Sequence, residues 1–130
     1  MIEEPKKPYA RVIGRFATSD LQGCRGRVTF TPSVEGVVQT DNGPVFFGGS
    51  VTAYINDIGE INDSKGNPYV DLVGLGRGVT PNTKWTYHVL LENPSYMIEF
   101  DVFLKQGNVH NLNDLWISDY GAAPNPSDTL

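Results

Sequence analysis

The chain has 130 residues, of which 39% are hydrophobic and 19% charged, enough for one domain that buries roughly two thirds of its unfolded surface. A net charge of −5 disfavours general nucleic-acid binding, which needs cationic surface to release counterions, and no apolar run approaches the ~20 residues of a spanning helix. A single cysteine, Cys24, excludes a disulfide within the chain and reads as a small buried hydrophobe.

Residues 1–9 carry Pro5 and Pro8 in a polar context and predict an extended N-terminal arm without a signal-peptide apolar region. A domain over residues 10–120 follows, closed by a Pro-punctuated tail at 121–130. With 14 Gly and 9 Pro, the domain should consist of many short elements joined by turns. About eight strands are expected. In 11–17, Val12, Gly14 and Phe16 oppose Arg11, Ile13 and Arg15. In 27–32, Val28 and Phe30 share one face and Thr29 and Thr31 the other. Residues 37–40 and 45–47 flank Asp41-Asn42-Gly43, a hairpin signal because Asn-Gly accepts positive φ. Val51, Ala53 and Ile55 alternate with Thr52, Tyr54 and Asn56, and residues 69–73 form a short strand after the 65–68 turn. Trp85, Tyr87, Val89 and Leu91 alternate with Thr86, His88 and Leu90. Ile98, Phe100, Val102 and Leu104 alternate with Met97, Glu99, Asp101 and Phe103. Period-2 patterning of this length, rich in β-branched and aromatic residues, predicts an all-β antiparallel sandwich. Residues 111–116 read either as one helical turn capped by Asn111 or as an ordered loop.

Charge is uneven. Residues 1–27 carry six bases against three acids, and the remainder four bases against twelve acids. Lys6, Lys7, Arg11 and Arg15 are therefore candidate assembly contacts, suited to head-to-tail packing of copies or to an acidic neighbour. The plainer reading is a solvated edge protected from aggregation.

The chemical candidates are weak. The glycine run 74–78 lacks the following helix that a phosphate loop needs and reads as a turn, with Arg77 an exposed contact residue. Residues 62–67 lack the acidic spacing of a calcium loop. His88 and His110 lie 22 residues apart without a second histidine or cysteine nearby, so no metal site is expected. Glu99 and Asp101 share a strand face about 7 Å apart, a common surface pattern. No catalytic residue, cofactor or metal ligand is assigned. Among the 14 aromatics, Tyr54, Tyr69, Tyr96 and Tyr120 fall at strand edges or loops. There they suit either sugar stacking or packing between subunits.

The ordered succession Val12-x-Gly14-x-Phe16, Gly26-x-Val28-x-Phe30-Thr31-Pro32, Val51-Thr52-Ala53, Ile58-Gly59-Glu60-Ile61, Trp85-Thr86-Tyr87-x-Val89 and Phe100-x-Val102 resembles a β-sandwich module. That module occurs in minor tail and tail-fibre proteins of phages infecting actinobacteria, and is similar to prealbumin-like or carboxypeptidase-regulatory-like sandwiches. Asn56-Asp57-Ile58-Gly59 keeps the module's turn, whereas Asp71-Leu72-Val73-Gly74 fits its following strand only loosely. The resemblance implies a non-enzymatic virion protein, in the tail rather than the head, that forms homo-oligomers and contacts other virion proteins. It leaves room for a host cell-wall glycan. A capsid decoration or head-fibre protein and a carbohydrate-binding module are the alternatives. No nucleic-acid or membrane partner is expected.

Overall fold

The computed structural model describes residues 3–16, 25–93 and 97–114. Its organising strand is β2 (Gly26–Pro32), where Val28 and Phe30 are fully buried. β2 pairs antiparallel on one side with β5 (Val51–Ile55) and on the other with β9 (Tyr87–Glu92). The register sets Phe30 between Val51 and Val89, and Val28 between Ala53 and Leu91. Because side chains alternate across the pleat, one register fixes the whole inward row. β6 (Ile61–Asn62) and β10 (Met97–Val102) close the two ends, giving the order β10-β9-β2-β5-β6.

Two three-stranded sheets complete the fold. One has the order β11-β1-β7, formed by β1 (Tyr9–Ile13), β7 (Val70–Val73) and β11 (Val109–Asn111), with β1 and β11 parallel. The other has the order β4-β3-β8, formed by β3 (Gly36–Thr40), β4 (Gly43–Phe47) and β8 (Val79–Thr80). Side chains from all three sheets enter one core, including Val12 of β1, Phe30 of β2, Val38 of β3 and Leu72 of β7. The chain is all β and sandwich-like. Burying a residue such as Phe30 stabilises the fold by about 2–3 kcal/mol.

The turns explain the strand boundaries. The β3–β4 hairpin closes through Asp41-Asn42, with Gly43 at φ 106° opposite Thr40, whose hydroxyl donates to the Gly43 carbonyl at 2.6 Å. Gly59, at φ 83°, links β5 to β6. Its amide donates to the Asn56 carbonyl, and the Asn56 side-chain oxygen accepts from Ile58 and Glu60. A Cβ at Gly59 would lie 1.7 Å from the Phe16 carbonyl oxygen, so this turn tolerates only glycine.

The differences from expectation lie in short elements. β6, β8 and β11 have two or three residues each, too few to show a period. Val79-Thr80, outside the expected strands, pairs with Val37 and Val38 of β3. Trp85 and Thr86, expected within a strand, precede β9. Tyr9, expected in the arm, opens β1; Pro5 and Pro8 before it are buried. Of the two readings of 111–116, helix holds for the described residues 112–114, and the Asn111 side chain caps it by accepting from the Asn113 amide at 3.0 Å. Cys24, Tyr96, Trp116, Tyr120 and the 121–130 tail lie outside the described residues.

Candidate functional site

Three segments meet at one end of the β1 sheet: the residues before β1, the glycine run after β7, and the turn between β10 and β11. Backbone bonds lock them together. Gly74 donates to the Pro8 carbonyl (3.0 Å), Leu75 to Leu104 (2.7 Å), Gln106 to Leu75 (2.9 Å), and Gly107 to Tyr9 (2.9 Å). Arg11 adds a bond to the Asn108 carbonyl at 2.9 Å. Glycines permit this closeness, since a Cβ at Gly74 would sit 2.7 Å from the Gln106 amide nitrogen. The Gln106 side chain packs across Gly76 and donates to the Arg77 carbonyl at 3.1 Å.

The junction presents bases. A groove of about 770 Å³ is lined by Arg77, Lys84 and Trp85 among others, and one of about 420 Å³ by Lys7, Arg77 and Lys105. The two share Leu75, Gly76 and Arg77, and among the described residues neither is lined by an acid. Among the described residues, no salt bridge engages Lys7, Arg77 or Lys105. The Lys84 ammonium lies 4.5 Å from the Phe103 ring centre. Trp85, 3% exposed, stacks on Phe47 at 4.9 Å, and its Nε1 is buried without a hydrogen-bond partner among the described residues. Beneath the junction, the Lys105 amide donates to His110 Nε2 at 3.0 Å. That bond needs an unprotonated Nε2. Burial, reinforced by the Lys105 cation, lowers the His110 pKa below its ordinary value.

The open face of β9 and β10 carries the opposite charge. Register sets His88 across from Asp101, with Glu99 one pleat away on the same face. His88 Nδ1 meets Asp101 and Nε2 meets Glu99, both at 2.9 Å. Hydrogen bonds to Glu99 and then Asp101 raise the His88 pKa, against a small desolvation penalty. With both ring nitrogens occupied, the imidazole has no free atom to offer a substrate. Sequence reading had each residue on the right face; only the cross-strand register brings the three together.

The expected contact residues separate. Arg11 is not a free contact: its guanidinium makes a two-pronged ion pair with Asp71 (2.8 and 3.0 Å) and lies 3.7 Å from the Tyr69 ring centre. Arg15 is held by Asn113, which bonds both its amide and its carbonyl, and by the Ile58 carbonyl. Arg25 pairs with Asp57, and Arg27 with Glu92. Lys6 is exposed, and Lys7 joins the junction. Tyr69 is half-buried beneath Arg11, whereas Tyr54 is 53% exposed. In the calcium-like loop, the Asp63 carboxylate is consumed internally, accepting from the Lys65 and Asn67 amides and the Asn67 side chain. Desolvation opposes its ionisation, but these bonds prevail and its pKa falls.

Compared with protein-family models, curated proteins and solved structures, the chain matches none. The junction's Lys84 and Lys105 stood outside the sequence candidates. Their signal was available, as two of only four bases after residue 27, but their convergence with Lys7 depends on the sheet topology.

Proposed function

We propose that the chain is a non-enzymatic structural protein of a phage virion, a minor tail or tail-tip component that acts by assembling with copies of itself and with other virion proteins. The observation that carries this reading is Phe46, 80% exposed on β4, a strand with no described partner on its outer side. The outer strand β10 likewise exposes Met97 at 66%. Large apolar side chains on open sheet edges are the parts of a β protein that a neighbouring chain covers. Pro44 removes one backbone donor from the β4 edge and limits uncontrolled strand addition. The ordered strand motifs that resemble tail modules point the same way.

The test is oligomeric state together with particle location. The reading expects a defined oligomer, weakened by Phe46→Asp, and the protein in purified particles at the tail. A monomer absent from particles would refute it, and label on the head would favour a decoration protein. A second reading, host cell-wall glycan binding, rests on Tyr54 and Ile58, which are both exposed and line a groove of about 580 Å³ beside Asp57. It expects glycan to protect Tyr54, and Tyr54→Ala to abolish binding.

A further inference from the structure

We propose that the basic junction is a binding site for a polyanion, a chain bearing several phosphate or sulfate groups that runs from Lys84 over Arg77 to Lys7 and Lys105. Three observations support it. The first is charge: among the described residues, four bases and no acid line two grooves that meet at Arg77, in a chain whose net charge is −5. Elsewhere Arg11, Arg25 and Arg27 each face a carboxylate of the same chain. Among the described residues, the junction gathers four bases without such a carboxylate partner, which sets it apart from these three arginines.

The second is rigidity. Gly74, Leu75, Gln106 and Gly107 fix the three segments through backbone bonds of 2.7–3.0 Å. The Lys7 stem lies against Gly107, where a Cβ would be 3.7 Å from Lys7 Cε. With Lys7, Arg77 and Lys105 carried on a locked backbone, ligand binding costs the rotamer freedom of their side chains and little backbone entropy. The third is shape. Because both grooves share Leu75, Gly76 and Arg77, an extended ligand can cross from one to the other. A single ion would reach only part of the set. A guanidinium at the crossing suits two oxygens of one tetrahedral oxyanion, and the ammonium groups on either side act as point charges.

This inference does not depend on the virion placement. It is tested on the full chain with inorganic phosphate, tripolyphosphate and a sulfated oligosaccharide, each followed by calorimetry and tryptophan fluorescence at low and moderate salt. Saturable binding of tripolyphosphate or the sulfated chain is expected, weaker at higher salt, with single phosphate far weaker. The stronger of the two multivalent ligands identifies the source of the oxyanion. Arg77→Gln and Lys105→Gln, both on exposed side chains, should each weaken binding about tenfold while the melting temperature stays unchanged. Lys65→Gln removes the same charge from an exposed turn that lines neither groove and should change affinity by less than about twofold. The proposal is overturned if neither multivalent anion saturates, or if Lys65→Gln weakens binding as much as Arg77→Gln. It is equally overturned if the junction variants abolish only self-association, which would make a second copy the occupant.

Discussion

The two histidines sit in opposite surroundings, and the contrast separates a closed surface from an open one. His88 lies on an exposed sheet face between two carboxylates, its charge answered within the chain. His110 is half-buried under a junction whose bases have no carboxylate partner among the described residues; burial lowers its pKa, and its Nε2 accepts from the Lys105 amide. The acidic face satisfies itself. The basic junction spends its hydrogen bonds on holding the backbone and leaves its charges outward.

The largest expected effect comes from breaking the junction's frame. Gly74→Ala would drive a methyl group into the Gln106 and Lys105 backbone, costing about 2–3 kcal/mol. Thermal unfolding should show a fall of about 10 °C, and the variant should lose polyanion binding. Next, Arg11→Ala removes a two-pronged ion pair and the contact with Tyr69 beside the junction. Chemical denaturation should register a loss of about 1–2 kcal/mol.

The histidines give the comparison its pH signature. The lowered His110 pKa means that the unfolded chain protonates first. Its contribution is whole above pH 6.5 and is lost as pH falls from there through the lowered folded value. The raised His88 pKa works in reverse. Its contribution is whole below pH 6.5 and is lost as pH rises through the raised folded value. Melting temperatures across this range should therefore show less acid loss in His110→Gln, which retains an acceptor for the Lys105 amide. The smallest effect belongs to His88→Ala. Its partners are exposed, so the loss should be a few tenths of a kcal/mol and should vanish in high salt. An acid loss unchanged in His110→Gln would break the contrast.

Legibility followed element length and locality. The β2 motif, the alternation in β9 and β10 and the Gly59 turn are local statements, and each could be read from consecutive residues. β6, β8 and β11 are too short to carry a period and exist because a longer strand offers them an edge. The acid clamp needed the β9–β10 register, which alternation alone leaves free to slip. The junction was the least legible, because Lys7 and Lys105 stand 98 positions apart and meet only through the β1 sheet. The basic N-terminal run was visible as charge, but its pairing with Asp57, Asp71 and Glu92 was not.

The most direct measurement is backbone amide NMR of the full chain during a tripolyphosphate titration. Shifts confined to residues 6–7, 74–78, 83–85 and 105–110, with His88 and its strand unmoved, are the predicted result. Shifts spread evenly over all basic positions, or centred on the β9–β10 face, would contradict the division between the closed and the open surface.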